Sequence, residues 1–350
     1  MTSSAEHFMK HTFELAQKGL GSVSPNPMVG CVIVHEDKIV AEGWHEKYGE
    51  AHAEVNAIKR LPAEINPKDC ELYVNLEPCS HFGKTPPCAD LIVQKGFNKV
   101  FVCNRDPNPL VAGKGIEKLK QSGIEVITGI LEKEGRFLNR RFFTYHEKKR
   151  PYIILKWAQT ADGFISRWPL PENRADNFIS GKEALAKSHQ LRASEDSILV
   201  GKNTVVADNP ELTTRLAEGK NPVRVVIADE LPFYKKFKVF NESAKTIWYN
   251  QHEDGSQGTL LKVKNSHQKV SLTGVMNDLC SKGIASVIVE GGREVLTTCL
   301  KENLWDEMWV FVNPELQFGS GISAPEIELN TDYQLIGKDK WYVIYSESII

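Results

Sequence analysis

The chain has 350 residues, 41% hydrophobic and 25% charged. This is the balance of a globular protein with a real core, and it excludes a disordered or fibrous chain. Lys plus Arg is 43 and Asp plus Glu is 45, a formal net charge of −2, so the composition does not advertise binding to nucleic acid or an anionic membrane.

At roughly 100–200 residues per domain, the length predicts two domains. The longest apolar runs, such as 28–34 and 287–289, are strand-sized and far short of the roughly 20 residues that span a bilayer. The start of the chain lacks a charged segment followed by an apolar one and a small-residue cleavage site, so it does not read as a signal peptide. Seven cysteines, an odd number, fit a reducing, cytoplasmic compartment with thiols free or on a metal. There is no internal repeat.

In chain order, Phe8, Met9, Thr12, Phe13 and Ala16 share one helical face. Residues 28–34 and 39–44 read as strands joined by a hairpin at His35-Glu36-Asp37-Lys38. Helix is expected at 53–60, 89–95 and 115–122, and strand at 71–76, 99–103 and 125–128. This alternation predicts a largely parallel sheet covered by helices. The charged run Tyr145-His146-Glu147-Lys148-Lys149-Arg150-Pro151 is read as the junction between domains at 1–146 and 151–350; a loop within one domain is the alternative. Beyond it, strands are expected at 152–157, 197–200, 223–228, 246–249, 286–290, 308–312 and 341–345. Helices are expected at 182–192, 274–282 and 293–302, again an α/β pattern. Residues 162–180 read as a long loop, a frequent location of function.

The strongest chemistry is His52-Ala53-Glu54 followed by Pro78-Cys79 and Pro87-Cys88. One imidazole and two thiolates are ligands that zinc prefers, and three protein ligands leave a position for water, as in catalytic sites. Two thiolates also balance the 2+ charge, and the ion would bring the pKa of its water toward neutrality. Cys88 opens a helix after Pro86-Pro87, where the helix dipole favours a thiolate. Glu54 lies two residues from His52, off its helical face, which suits a proton shuttle better than a fourth ligand. A closed structural site would need such a ligand, and His81 is the nearest candidate. Cys31, Cys70, Cys103, Cys280 and Cys299 read as small buried hydrophobes.

His-Ala-Glu followed by Pro-Cys and a second Cys resembles the zinc-dependent nucleobase and nucleoside deaminases. Their usual Cys-x-x-Cys is replaced here by Cys79-Ser-His-Phe-Gly-Lys-Thr-Pro-Pro-Cys88. That insert, with Ser24-Pro25-Asn26-Pro27-Met28-Val29-Gly30-Cys31-Val32, resembles the RibD family, bifunctional deaminase–reductases of riboflavin biosynthesis. The resemblance implies an α/β fold with a cytidine-deaminase-like three-layer domain, then a dihydrofolate-reductase-like domain. It implies Zn2+ on His52, Cys79 and Cys88, Glu54 as the catalytic residue, and Asn26, His45, His81 and Lys84 as substrate contacts. An Asn can pair with a pyrimidine edge and Lys84 can meet a phosphate; loop capping or surface solvation would equally explain these residues. Asp106-Pro107-Asn108-Pro109 reads as a pocket loop or as a plain turn.

The second region has no Gly-x-Gly-x-x-Gly. Instead Val287-Ile288-Val289-Glu290-Gly291-Gly292-Arg293 reads as a buried strand ending in two glycines before a helix, a junction that can cradle phosphate. Glu290 at a strand end lies where open α/β sheets place ligands. By resemblance to the RibD reductase half, Lys156, Arg192, Leu212, Arg215 and Glu290 are substrate-side, and Asp176 stands where the family usually has a substrate-binding Ser. Ala158, Thr204, Asp208 and the stretch 292–298, with Gly292, Arg293, Glu294 and Val295, lie along NADPH, with Phe178 where Trp is usual. Arg192 and Arg215 suit a phosphate clamp, since guanidinium is a planar fork of donors; a surface salt bridge is the plain reading of either alone. An Asp beside a phosphate would repel it, so Asp176 points away or the phosphate is held differently.

The expected function is therefore hydrolytic deamination of 2,5-diamino-6-ribosylamino-4(3H)-pyrimidinone 5′-phosphate, then NADPH-dependent reduction of the ribosyl to a ribityl chain. The expected partner is this small phosphoribosylaminopyrimidine, with no nucleic acid and no membrane; a homo-oligomer is left open. The rivals are a tRNA-type editing deaminase with an unrelated C-terminal domain, a deaminase with a degenerate reductase domain, and a non-catalytic zinc module.

Overall fold

The computed structural model describes residues 4–81, 86–109, 111–264, 271–329, 332–347 and 349. The chain divides into two units, Met1–Lys149 and Arg150–Ile350.

The first unit opens with helix α1 (Ser4–Gln17). Strands β1 (Gly30–His35) and β2 (Lys38–Trp44) form the expected hairpin. Only Glu36 and Asp37 separate them, at φ 48° and 58°. Two successive left-handed residues make a primed turn whose twist suits the flanking strands. There follow α2 (Ala53–Arg60), β3 (Glu71–Leu76), α3 (Cys88–Lys95), β4 (Lys99–Asn104), α4 (Lys114–Gln121) and β5 (Glu125–Thr128). Two helices, α5 (Glu132–Leu138) and α6 (Arg140–Lys148), close the unit. The sequence reading had no helix for this stretch. The charged run at the expected junction is helical through Lys148, and only its residues 149–151 lie outside regular structure.

The sheet order is β2-β1-β3-β4-β5. β1 is antiparallel to both neighbours, whereas β3, β4 and β5 are parallel. Successive strand residues feed two cores. Cys31, Ile33, Leu72, Val74, Val100 and Val102 pack with Ala57 of α2, Ile92 of α3 and Leu119 of α4. Val32, Val34, Tyr73 and Phe101 pack with Phe8, Met9 and Leu15 of α1. A strand buried on both faces reads as continuous apolar sequence, as β3 and β4 do.

The second unit begins with β6 (Tyr152–Thr160), β7 (Phe164–Ser166), α7 (Lys182–Ser194), β8 (Ser197–Gly201) and α8 (Lys202–Asp208). It continues through β9 (Val223–Ile227), β10 (Thr246–Asn250), β11 (Gly255–Gln257), β12 (Leu260–Lys264), α9 (Leu272–Ser281), β13 (Ser286–Val289) and α10 (Arg293–Lys301). The last strands are β14 (Glu307–Asn313), β15 (Ile322–Ser323), β16 (Gln334–Ile336) and β17 (Asp339–Tyr345). Ten strands form one sheet, β11-β12-β10-β9-β8-β13-β6-β14-β17-β16. From β12 to β14 every pairing is parallel; β11, β17 and β16 add antiparallel edges. α9 and α10 supply Leu272, Val275, Leu279 and Leu296 to one core, and α7 and α8 supply Leu191 and Val205 to the other. The segment read as a long loop holds β7, paired with β15, and a short 3-10 turn at Arg174–Asn177.

Arg224 on β9 is fully buried. Its guanidinium donates to Thr246 Oγ1 at 2.9 Å, to Asn241 Oδ1 at 2.8 Å and to the Asn241 and Ala244 carbonyls. Every one of these acceptors is neutral, and burial brings its pKa down to about 10.

Gly43 on β2 faces α2 so closely that a Cβ would stand 2.7 Å from the Ala53 carbonyl and against the Ala57 nitrogen. Neither backbone atom can give way without moving the helix that begins after His52. Gly43→Ala is expected to destabilise the first unit by about 2–3 kcal/mol. Differential scanning calorimetry would show its transition lowered and that of the second unit unmoved.

Candidate active sites

His52 caps α2 in extended conformation, and Glu54 lies in its first turn, buried. Cys79 follows β3, and Cys88 is the first residue of α3. The ligand atoms of His52, Cys79 and Cys88 lie within 4.8 Å of one another. His52 Nδ1 is 3.5 Å from Cys79 Sγ and 3.3 Å from Cys88 Sγ. A tetrahedral zinc ion with bonds of about 2.3 Å to sulfur and about 2.0 Å to nitrogen sets such atoms about 3.5 Å apart. The donor set therefore fits the ion in both chemistry and spacing. The Cys88 N–H donates to Cys79 Sγ at 3.3 Å. Contact with Cys88 and then with His52 outweighs burial and holds the Cys79 thiol at about 4.

Among the described residues the group has three members. His81 is exposed and outside it, so the fourth ligand that a closed structural site needs is not supplied there. Lys84 lies outside the described residues. Glu54 is 3% exposed, and burial pushes its carboxyl up. Asn26 and His45 do come together beside the centre. Asn26 Nδ2 donates to His45 Nε2 at 3.2 Å, and His45 Nδ1 donates to the Ala51 carbonyl at 3.0 Å. Burial lowers the pKa of His45, and its ring packs edge-on to His52 at 5.4 Å between centroids.

Two further carboxylates lie near this centre: Glu77, which the sequence did not single out, and Asp106 of the Asp106-Pro107-Asn108-Pro109 segment. Glu77 is buried and accepts backbone N–H groups from Asp106, Gly113, Gly115 and Ile116 at 2.9–3.2 Å. It ties the end of β3, two residues before Cys79, to the loop and helix that follow β4. Asp106 makes an Asx turn to the Asn108 N–H at 2.7 Å. Burial is the first cause of its rise to about 7. The Asp106-Pro107-Asn108-Pro109 segment is therefore a turn whose first residue is buried and feels the charge of Cys79.

In the second unit the structure gathers Lys156, Arg192 and Glu290. Glu290, just beyond β13, takes Arg192 Nη2 at 2.7 Å and Nε at 3.3 Å, with Lys156 Nζ at 3.8 Å. Burial would raise the Glu290 carboxyl, but Arg192 and then Lys156 outweigh it and hold it at about 2. Burial acidifies Lys156 despite Glu290. Arg192 Nη1 donates to the Thr213 carbonyl at 3.3 Å, and Arg215 Nη1 to the Thr213 hydroxyl at 2.9 Å. Leu212 precedes them, buried at φ 56°. His189, which the sequence reading missed, accepts the Arg215 N–H at 3.0 Å. Its signal was only its place one turn before Arg192.

A second group forms around the β8 and β13 ends. A Cβ at Gly291 would lie 2.6 Å from Val200 Cα, and one at Gly201 would lie 2.9 Å from Val295 Cγ2. Gly292, at φ 37°, caps α10 with its Cβ position 3.3 Å from Thr204 Oγ1. Asp208 ends α8, and Ala158 is half-buried on β6. Arg293 and Glu294 are exposed, with Arg293 3.9 Å from Glu326. Phe178 is 68% exposed. Asp176 is exposed too, and its carboxylate accepts from Asn173 at 3.4 Å. That contact stays within the loop; no contact among the described residues joins Asp176 to Arg192 or Arg215.

A His/Cys/Cys zinc centre with a buried Glu defines a deaminase-type domain, here followed by a second α/β domain with its own charged cluster. Residues 2–104 match the cytidine and deoxycytidylate deaminase zinc-binding region, and residues 151–328 match the RibD C-terminal domain. The riboflavin biosynthesis protein RibD of Aquifex aeolicus is 42% identical over 93% of this chain and 91% of its own. The Thermotoga maritima diaminohydroxyphosphoribosylaminopyrimidine deaminase/5-amino-6-(5-phosphoribosylamino)uracil reductase superposes with a TM-score of 0.87 at 37% identity, covering 98% of each chain. RibD of Acinetobacter baumannii gives 0.85 at 30%, again over 98% of each. The chain belongs to the RibD family of bifunctional deaminase–reductases of riboflavin biosynthesis. A family match running through both domains sets aside the editing-deaminase and zinc-module alternatives. Among the described residues no helix is long and apolar enough to cross a membrane.

The Glu290 carboxyl sits below the roughly 4.3 of an unfolded glutamate. Its stabilising effect is thus complete above about pH 4.5 and fades as pH falls toward 2. Glu290→Gln is expected to cost the second unit on the order of 3 kcal/mol at pH 7, since it leaves two buried cations unpaired. Denaturant unfolding at pH 7 and near pH 2.5 should show the gap between variant and wild type shrinking at the lower pH.

Proposed function

We propose that this chain deaminates the diaminopyrimidine ribotide named for the Thermotoga relative and reduces the ribosyl group of the deaminated product with NADPH. The observation that carries the first half is the three-ligand group with Glu54 buried beside it. A zinc ion bound by His52, Cys79 and Cys88 would supply an acidified water as nucleophile. Glu54 would take one proton from that water and pass it to the ring nitrogen, then take the second from the added hydroxyl and pass it to the departing amine. A carboxyl raised by burial is matched to both directions of that transfer. Asn26 presents an amide oriented by His45 to the pyrimidine edge. His81 and Lys84 are assigned to the ribotide by resemblance.

For the second half, the cofactor supplies a hydride for C1 of the ribose. The N-terminal amides of α10 at Gly292, Arg293 and Glu294, with the Thr204 hydroxyl beside them, suit a diphosphate. Ala158, Val295, Asp208 and Phe178 are assigned along the same cofactor. Lys156 holds an ammonium acidified by burial, the group able to protonate the ribose oxygen released as the ring opens. Glu290 keeps Lys156 and Arg192 in place. Arg192 and Arg215 take the substrate phosphate, with Leu212 shaping the segment that leads to Arg215. Asp176, held within its own loop, is left at the margin. Thiolate ligands and free cysteines support the reading of a reducing compartment, the cytoplasm.

Glu54→Ala is expected to abolish ammonia release while the protein keeps about one zinc per chain by metal analysis. Zinc loss in that variant would overturn the shuttle assignment. Cys88→Ala should lose both metal and ammonia release. Lys156→Ala should stop NADPH oxidation, followed by absorbance, with deamination intact.

A further inference from the structure

His189 is the one buried titratable group in the C-terminal cluster to which the proposed reaction gives no role. It lies on α7 one turn before Arg192 and is 1% exposed. Its Nδ1 accepts the Arg215 backbone N–H at 3.0 Å, so the ring proton sits on Nε2. Burial, then the Arg192 and Arg215 guanidiniums, hold its pKa at about 4, and the acceptor persists at any working pH.

The contact matters because of what Arg215 belongs to. The segment 212–215, irregular in its backbone, starts at Leu212, whose left-handed φ of 56° persists only where its surroundings hold it. Within that segment Thr213 touches both arginines, through its carbonyl to Arg192 and its hydroxyl to Arg215. Those two bonds engage guanidinium groups at the ends of long side chains. Among the described residues it is the His189 bond that fastens the main chain of Arg215 to α7, the helix that carries Arg192.

We propose that His189 is a positioning residue for phosphate recognition: by accepting the Arg215 N–H it seats the 212–215 segment against α7 and sets Arg192 and Arg215 at a spacing that takes one phosphate dianion. This rests on the reading of the two arginines as the phosphate clamp. His189 touches neither substrate nor cofactor in this role, and its loss is felt only through the phosphate.

The test compares wild type, His189→Ala, His189→Asn and Arg215→Ala in NADPH-dependent reduction of the deaminated ribotide and of its phosphate-free riboside. His189→Ala should raise KM for the ribotide about tenfold, the usual effect of one lost buried hydrogen bond, with kcat within about twofold. Its kcat/KM for the riboside should match wild type. His189→Asn, whose Oδ1 falls where Nδ1 lies, should restore the KM. Turnover of the riboside in the same preparations reports on folding of the second unit. Equal losses on both substrates, an unchanged KM, or no rescue by Asn would overturn the role of His189 if Arg215→Ala has lost its preference for the ribotide. An Arg215→Ala enzyme that keeps that preference overturns the clamp, and His189 with it.

Discussion

Two sulfurs and one imidazole nitrogen are brought within bonding reach of a single point by three separate segments of chain. His52 comes from the start of α2, Cys79 from the end of β3 and Cys88 from the start of α3. Each backbone position is fixed by something other than the metal. Gly43 lets α2 sit against β2 with no side chain between them. Glu77 anchors the exit of β3 through four amide hydrogen bonds. The Cys88 amide points its proton at the Cys79 sulfur. The centre is thus prepared by the fold, so ligand binding need not order the chain first.

The second unit solves a different problem with the same means. It gathers three largely buried charged side chains, Lys156, Arg192 and Glu290, beside one another. Glu290 is the compensating anion. Bidentate contact with Arg192 and the approach of Lys156 make the cluster tolerable in a low-dielectric setting. A buried charge pair adds little to stability by itself, but removing one member is costly. The cluster therefore constrains composition at several positions together.

What could be read from the sequence was chemistry that is rare by type. A His, a Glu and two Pro-Cys steps have few uses together, so the metal group was legible before any fold was known. The central strands were legible too, because β3, β4, β8 and β13 are short apolar runs bounded by turns. Glu77 and His189 were not, because their roles lie in partners 29–39 and 26 residues away, which spacing does not encode. α5 and α6 were missed because their polar faces hide a short apolar stripe, with only Gly135, Leu138, Phe142, Phe143 and Thr144 buried. The short edge strands β11 and β16 carry no alternation worth the name and are fixed by their neighbours alone.

The guanidinium of Arg224 has a consequence for how this chain can change over time. It is a permanent cation enclosed by hydroxyl, amide and carbonyl oxygens. Shortening it strands those oxygens around a void, and altering any one of them strands the cation. No single substitution leads smoothly away from this arrangement. The composition of the strand, of Thr246 and of the Asn241–Ala244 turn is therefore coupled through one side chain.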